Sequence, residues 1–533
     1  MLKKKNIFFT VVLLICLSTN WISPAGASPA GSDIENHWAE KAIEMVLDLG
    51  IAGGYPEEFF LPEQPVTRAE FVKMIVAAGW VLPAISGAGQ TYKDVGREHW
   101  AYPFVEAAVA AGIVKASEDP ERYFEPDRAI ARGEMAAMAG RLLACTRQPE
   151  IAAEGGLSNN WPALMLGSGI FYGYPDGTFG EGNSSTRAEA CAVILRLKDR
   201  LLAVEAERER EWISTTQSPE GYFALSGGRT DVIPYFCNLT GMALCGDPQS
   251  LDRVKRYLDW NFSRLNYPDR WGLNGTIYDY RQEGDLLVSV DRYDSADSYA
   301  ATLLTLAADY QASSNDLSFI REHYRELSSV EELIITLQDS DGLIWAKTDL
   351  KIKYLMDNCE CYRGLKNWAR VLDVLEYKEL SALCDQKAEM IKTGIIEQFW
   401  DEDKSCFAWA VDQAGIKHYP VPGQSYPGIF AQIYPVTFGV IPPASEIAVQ
   451  AYQKLNNELP SWPGLEVGDP FPWAILGYAA AVMSDLPRAG VFLKNCRTTY
   501  IGSGRGFPWS SFEGAFYARA CDSIRNRIKD GLR

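Results

Sequence analysis

Three loosened copies of one four-residue motif divide the first third of the chain into repeated units of similar length. The copies read Thr-Arg-Ala-Glu at 67–70, Ala-Arg-Gly-Glu at 131–134 and Thr-Arg-Ala-Glu at 186–189. Upstream of each motif lies a tryptophan that opens an amphipathic run. In the first and third units, Gly-Tyr-Pro lies between the tryptophan and the motif. Signatures that recur in one order indicate an internal repeat.

Each unit is predicted to be a helix, a turn and a second helix that starts at the motif. A threonine at the N-cap accepts a backbone N–H, and the glutamate three residues later returns the bond as a capping box. Thr67 with Glu70 and Thr186 with Glu189 fit this pattern.

The three signatures together resemble the S-layer homology domain in three copies, at 31–85, 90–147 and 152–200. The resemblance implies a pseudo-threefold helical module that binds pyruvylated secondary cell-wall polysaccharide in grooves between repeats, with the motif arginine facing acidic groups of the polymer. The polymer-binding residues it implies are Trp38, Arg68, Trp100, Arg132, Trp161 and Arg187.

The second repeat departs from the pattern. Ala131 replaces the capping threonine, and Lys-Ala-Ser stands at 115–117 in place of Gly-Tyr-Pro. We therefore expect its groove to be impaired and Arg132 to contribute less than Arg68 or Arg187. The alternative is that all three arginines are surface residues at helix starts that pair with neighbouring glutamates, although a guanidinium fork suits carboxylate recognition.

The start of the chain predicts export. Lysines at 3–5 precede an apolar run from 7 to 17, and Ala-Gly-Ala at 25–27 offers a cleavage site, so residues 1–27 read as a signal peptide. Beyond it, no segment approaches the roughly 18 apolar residues of a membrane span. A net charge of −18 argues against a nucleic-acid partner. With the resemblance, these features predict a location at the wall or S-layer surface of a Gram-positive-type bacterium.

A charged stretch follows the third repeat. Residues 201–215 are rich in Glu and Arg at three- and four-residue spacing, which predicts a solvated helical linker. We expect the chain to divide there into two separable halves, the second spanning 216–533.

The second half reads as helix after helix with apolar periodicity of 3.6, so the fold class is mainly α. Short links alternate with long links rich in Gly, Pro, Tyr and Trp, which predicts stacked helical hairpins closed into a ring with loops on one rim. The segments at 293–299, 357–362 and 425–432 resemble those of the six-hairpin, (α/α)6-toroid glycosidases. The resemblance implies a glycoside hydrolase acting on a poly- or oligosaccharide, although Gly428 stands where an acid would be.

The candidate catalytic groups of this half are its many carboxylates, which often lie beside aromatic residues in the sequence. Four histidines in the whole chain, scattered cysteines and the absence of a Walker loop predict neither a cofactor nor a metal. Glycosidases need two carboxyl groups, one protonated and one ionised. Two alternatives stay open: a non-catalytic glycan- or protein-binding module, and a polysaccharide lyase with His418 and Tyr419 as candidate bases.

Two pairs of acids are the candidate catalytic groups. Asp294 and Asp297 lie three apart at a predicted helix start, where capping and dipole stabilisation are the alternative role. Asp357 and Glu360 share one face of another helix. We predict Glu360 as the proton donor, because desolvation raises the pKa of an acid, and Asp294 or Asp297 as the ionised partner. The candidate substrate contacts, for which core packing or helix capping is the alternative, are Tyr278, Asp279, Trp345, Tyr426, Gln432, Trp509 and Glu513.

Overall fold

The computed structural model describes residues 33–55, 59–82, 89–116, 121–146, 160–226 and 228–532. The predicted signal peptide lies outside these ranges. Among the described residues, no helix combines the length and hydrophobicity that crossing a membrane requires. The helices of the repeated part are α1 (Glu40–Asp48), α2 (Arg68–Ala78), α3 (Tyr102–Ala110), α4 (Arg132–Thr146), α5 (Trp161–Gly167) and α6 (Arg187–Thr215).

The repeats fold as helix pairs whose second members begin at the motif. Thr67 and Thr186 form complete capping boxes with the glutamates three residues on, as predicted. The second copy keeps half of the box, because Glu134 still accepts the N–H of Ala131 at 3.0 Å. Short extended segments before α2, α4 and α6 pair with one another, through Pro65 with Thr186, Thr67 with Ala129 and Ala131 with Ser184. The three repeats are therefore joined in a cycle.

The second half is built from twelve further described helices. They are α7 (Pro234–Leu244), α8 (Leu251–Phe262), α9 (Ala296–Ser314), α10 (Leu317–Glu322), α11 (Tyr324–Leu337), α12 (Leu355–Val374), α13 (Lys378–Gly394), α14 (Tyr434–Thr437), α15 (Glu446–Glu458), α16 (Ile475–Val482), α17 (Leu486–Cys496) and α18 (Ser511–Gly531). Single turns of π-helix lie at Ile395–Phe399, Ser425–Ile429 and Arg497–Ile501, and 3-10 turns at Pro248–Ser250 and Trp462–Gly464.

Six of these helices close into an inner ring. Helices α7, α9, α12, α14, α16 and α18 each pack on the next, and α18 returns to α7. Outside them, α8, α11, α13 and α17 pack on inner helices, α15 covers the links before α14, and α6 packs along α18. The predicted mainly α toroid is confirmed, with six inner and six outer helices.

Short strands lie in the long links at one rim of the ring. β1 (Asp231–Val232), β2 (Tyr280–Glu283) and β3 (Leu286–Ser289) form an antiparallel sheet in that order. β4 (Ile352–Tyr354) pairs with β7 (Ala410–Asp412), which pairs with β8 (Lys417–His418). β5 (Trp400–Asp401) pairs with β6 (Cys406–Phe407). β1 and β4 end within two residues of the start of α7 and α12, so this rim carries the N-terminal ends of the inner helices.

The predicted solvated linker is wrong. Residues 201–215 belong to α6, one continuous helix of 29 residues that starts in the third repeat and serves the toroid as its sixth outer helix. Glu209 is 0% exposed. Its carboxylate accepts from Arg505 at 2.7 Å and from the Trp509 indole at 3.1 Å. Arg208 pairs along the helix with Glu205, as the charge pattern suggested, but Glu205, Glu209 and Arg210 also pair with charged residues of the toroid.

Candidate active site and wall-binding grooves

The motif arginines pair with glutamates of the neighbouring repeat rather than of their own. Arg187 lies 2.9 Å from Glu70, and Arg132 lies 4.0 Å from Glu189. Arg68 contacts Glu134, which completes the cycle. The alternative interpretation is therefore confirmed in the pairing with glutamates and wrong in the surface location, because the arginine side chains are mostly buried between repeats.

Two of the three guanidinium groups lie against both a tyrosine ring and a phenylalanine ring of the next repeat. Arg187 lies 4.5 Å from the ring centres of both Tyr55 and Phe60. Arg132 lies 4.7 Å from Tyr174 and 5.3 Å from Phe179. Such contacts are favourable cation–π interactions.

The altered turn of the second repeat bears on Arg68 rather than on Arg132. Each motif arginine lies against aromatic residues of the following repeat, so the second repeat, which lacks Gly-Tyr-Pro, faces Arg68. Among the described residues, which omit 117–120 of the second repeat, this guanidinium has one ring beneath it, that of Phe124 at 4.8 Å, and its Nε is buried with no acceptor. The Nε atoms of Arg132 and Arg187 instead donate to backbone carbonyls at 3.1 and 2.9 Å.

The three tryptophans that mark the repeats are placed differently. Trp38 and Trp100 are exposed, beside His37 and His99 respectively. Trp161 is half-buried, and its ring fills the space where a side chain at Gly140 would otherwise stand. The first two are therefore free to meet a polymer, whereas the third also packs against α4.

In the toroid, three carboxyl groups and a tyrosine converge where the inner helices begin. Asp297 starts α9, Asp357 and Glu360 lie in the first turns of α12, and Tyr235 starts α7. The Tyr235 hydroxyl donates to Glu360 at 2.7 Å. Asp357 lies close enough to Asp297 and Ser295 to interact with both electrostatically. One oxygen each of Asp297 and Glu360 is buried with no partner among the described residues.

Burial sets the protonation of this cluster. It raises the pKa of Asp297 and of Glu360 well above their usual values, and the negative charge of Asp357 adds to both shifts. Burial also raises the pKa of Asp357 to about 7, with Asp294 contributing. The helix N-terminus was expected to keep Asp297 ionised; desolvation outweighs it. Asp294 does not cap α9 either, because Ser295 is the N-cap residue.

Accessibility separates the four predicted catalytic acids. Glu360 is 1% exposed and Asp297 is 0% exposed, so neither meets solvent in this conformation. Asp357 is partly exposed and Asp294 is exposed. The carboxyl group that a substrate could reach with a proton still bound is that of Asp357.

Asp279 extends the row of acids. Its carboxylate accepts from the Tyr299 hydroxyl at 2.9 Å, and burial, with the nearby charge of Asp294, raises its pKa to about 6. Asp294 thus acts electrostatically on Asp279 to one side and on Asp357 to the other. Among the described residues, no three His, Cys, Asp or Glu side chains are placed to coordinate a metal ion.

Aromatic rings border the acids. Tyr278 stacks on Tyr293 with ring centres 6.0 Å apart, and Tyr354 stacks on Trp409 at 6.2 Å. Tyr426 is 54% exposed, at the turn just before α14. These faces suit the apolar faces of sugar rings. Trp345 is less available, because the Lys353 ammonium lies 4.1 Å from its ring centre.

Three predicted substrate contacts belong to the scaffold instead. Gln432 is buried and exchanges two hydrogen bonds with the backbone of Phe407 at 2.8 and 2.9 Å. Trp509 is 0% exposed and donates to Glu209. Glu513 is buried and accepts the N–H groups of residues 473 and 474 at the start of α16, so it caps a neighbouring helix.

The groups proposed for a lyase are poorly disposed for that chemistry. The Tyr419 hydroxyl donates to Asp401 at 2.7 Å, and burial together with this carboxylate raises the pKa of Tyr419 to about 12. A catalytic tyrosine base needs the opposite shift. His418 lies 3.3 Å from Asp412 on the β7–β8 hairpin.

Sequence reasoning missed Tyr235, Ser295 and Tyr434. Tyr434 starts α14 and lies within electrostatic reach of Glu360. The shared signal is position: each of these residues lies at or next to the start of an inner helix, and Pro234 or Pro435 marks that start in two cases. Once the helices that form the inner layer are known, their first turns define the site.

The buried carboxyl of Glu360 should make stability depend on pH. Its pKa is higher in the folded chain than in the unfolded chain, so its contribution is complete below about pH 4 and is lost as pH rises through the folded-state pKa. Glu360→Gln should therefore unfold like the parent at pH 4 but gain about 1–3 kcal/mol at pH 8. Denaturant titrations at both pH values measure this. Glu332→Gln, at an exposed acid, is the control; equal effects of both substitutions would contradict the assignment.

Comparison with known protein families identifies the first two repeats. A family model described as the S-layer homology domain matches residues 32–72 and 91–136. A cellulosome-anchoring protein of Acetivibrio thermocellus is 34% identical over 113 residues, which cover 20% of this chain and 24% of that protein. An amylopullulanase of Thermoanaerobacterium thermosulfurigenes is 30% identical over 184 residues (32% and 9%). A surface layer protein of Brevibacillus choshinensis is 27% identical over 175 residues (32% and 14%). The chain thus spans less than a quarter of each of these relatives.

Solved structures similar to the chain include a wild-type glycosidase, with a TM-score of 0.45 at 13% identity, covering 61% of this chain and 96% of that one. A metal-independent alpha mannosidase of Streptococcus pneumoniae, with a TM-score of 0.47 at 12% identity, covers 72% and 99%. The toroid is identified by its closed ring of inner helices and not by these similarities.

Proposed function

We propose that this chain is a cell-surface glycoside hydrolase held to the wall polymer by its S-layer homology repeats. The observation that carries the enzymatic part is the acid cluster. A partly exposed carboxyl with a pKa of about 7 lies beside an exposed acid, at the aromatic rim of a helical ring. A glycosidase requires this combination of one carboxyl that holds its proton near neutral pH and one that is ionised.

The roles follow from access and protonation. Asp357 donates the proton to the departing sugar oxygen. Asp294 is the ionised partner that activates water or attacks the anomeric carbon. Asp297 and Glu360 are positioning residues: both are buried and hold their protons, so they pack beside Asp357 as neutral groups and do not touch substrate.

The test is an activity screen of the full chain on polysaccharides and aryl glycosides as a function of pH. We expect cleavage of at least one glycan, with activity that falls as pH rises above about 7, because Asp357 then loses its proton. An activity that instead rises through pH 8 would contradict Asp357 as the donor. No cleavage of any glycan would favour the binding-module alternative.

For anchoring, we propose that two of the three grooves hold pyruvylated secondary cell-wall polysaccharide. The grooves of Arg132 and Arg187 have both a tyrosine and a phenylalanine beneath the guanidinium, whereas among the described residues Arg68 has a phenylalanine alone. The relatives include an anchoring protein and a surface layer protein, which fits a role in wall attachment. A pyruvyl ketal carries a free carboxylate, and the positive charge of the guanidinium groups, which are themselves held by carbonyls of the next repeat, would attract it.

Arg-to-Lys substitutions should rank the grooves. The double variant Arg132→Lys and Arg187→Lys should bind isolated walls at least about tenfold more weakly, since lysine keeps the charge but loses the planar fork. Arg68→Lys, the matched control, should bind nearly as well as the parent. Co-sedimentation with walls measures this. Walls stripped of pyruvyl groups by mild acid should bind neither the parent nor Arg68→Lys. A larger loss for Arg68→Lys would contradict the two-groove assignment.

A further inference from the structure

A second charged cluster lies inside the ring, further along the inner helices from their N-terminal ends. Arg363 is six residues beyond Asp357 on α12, about 9 Å by the rise of a helix. Arg519 on α18, Asp309 on α9 and Tyr478 on α16 interact with it electrostatically, and Arg370 lies at the edge. Arg363, Arg519, Asp309 and Tyr478 are partly exposed, and Arg370 is exposed, so solvent reaches the cluster.

The positive charges of this cluster are not neutralised. Among the described residues, Arg363, Arg370 and Arg519 make no ion pair, and the Nε of Arg363 is buried with no acceptor. The one side-chain bond is from Arg519 to the Tyr478 hydroxyl at 3.2 Å. Three guanidinium groups against the single carboxyl of Asp309 leave a net charge of 3 − 1 = +2.

Arginines near helix C-termini often serve to satisfy terminal carbonyls. In this ring Arg527 has that role, because it donates to the carbonyls of Ala481 and Val482 at the end of α16. Arg363 and Arg519 lie near the middle of long helices whose carbonyls are already bonded within the helix. Their donors are therefore available to something that the chain does not supply.

We propose that Arg363, Arg519 and the Tyr478 hydroxyl form a binding site for a phosphate-type dianion. Guanidinium groups bind tetrahedral oxyanions with paired hydrogen bonds, and a charge of −2 would neutralise the cluster. The Asp309 carboxylate lies among these arginines, so it repels an anion and lowers the affinity of the site. The site is separate from the acid cluster and does not depend on the proposed hydrolase activity.

Calorimetric titration of the full chain with sodium phosphate at pH 7.5 tests the proposal, with acetate at matched ionic strength as the monoanion. We expect saturable phosphate binding that acetate does not reproduce. Arg363→Gln and Arg519→Gln should each weaken it by at least about tenfold, as expected for losing a charged hydrogen bond. Arg527→Gln, whose guanidinium is committed to carbonyls, should bind as the parent does.

Asp309→Asn gives the opposite sign and needs no arginine to be removed. It deletes the competing carboxylate in a nearly isosteric way, so phosphate should bind several-fold more tightly. Absence of saturable binding by the parent, equal affinities for Arg363→Gln and Arg527→Gln, or unchanged affinity in Asp309→Asn would each overturn the proposal. If Arg363→Gln does not fold, Asp309→Asn decides.

Discussion

Asp357→Asn should lower turnover on any glycan that the parent cleaves by roughly 10²–10⁴-fold, the usual loss when general acid catalysis is removed. Asparagine keeps the shape of the side chain, but it has no acidic proton to give to a leaving group. Because the carboxyl it replaces is partly buried beside other acids, the variant should fold at least as well as the parent. Circular dichroism and thermal unfolding check this requirement.

The leaving group distinguishes a proton donor from a nucleophile. With an aryl glycoside whose phenol is a strong acid, departure needs little protonation, so Asp357→Asn should lose less than about tenfold in turnover. Asp294→Asn should lose activity on both kinds of substrate, since the ionised carboxylate is needed whatever the leaving group. A loss in Asp357→Asn that is the same for good and poor leaving groups would contradict its role as donor.

Local chemistry of the repeats was readable from the sequence, whereas their pairing was not. The capping boxes of Thr67 and Thr186 depend on residues three apart, so a motif suffices to predict them. Which arginine meets which turn depends on the cyclic order of the repeats in space. The second repeat, which lacks Gly-Tyr-Pro, therefore faces Arg68, although Arg132 is the arginine of that repeat.

The acids of the candidate site could be predicted from local sequence patterns, but their depth in the fold could not. Asp294 and Asp297 stand out as acids at a helix start and Asp357 and Glu360 as acids on one helix face, and the structure brings Asp297, Asp357 and Glu360 into one cluster. Depth within the ring is a tertiary property, and it is the reason that we propose Asp357 as the proton donor in place of Glu360. Periodicity likewise could not show whether a charged helical face turns to solvent or to a neighbouring helix.

Helix α6 gives the second large prediction: a fragment of residues 216–533 should not fold as a toroid, whereas 187–533 should. The shorter fragment lacks the outer helix that covers α18. Tyr517, Cys521 and Ile524 on α18 are fully buried in the whole chain, and side chains of this size contribute about 1.5–3 kcal/mol each when buried. A domain is commonly stable by only about 5–15 kcal/mol, so losing this contact removes much of the total.

Cutting the chain at residue 216 also leaves charged and polar side chains of the toroid without their partners on α6. Without α6, Arg505 and Trp509 lose Glu209, their partner at 2.7 and 3.1 Å, and Arg525 loses Asp199 at 3.1 Å. A thermal melt followed by circular dichroism should show a cooperative transition for 187–533 and none for 216–533. Limited proteolysis of the full chain should also spare 201–215, since a protease needs an exposed, locally unfolded segment. A cooperative transition in 216–533 would instead support the separable halves that the charge pattern first suggested, and would make the helix shared by the repeats and the ring dispensable.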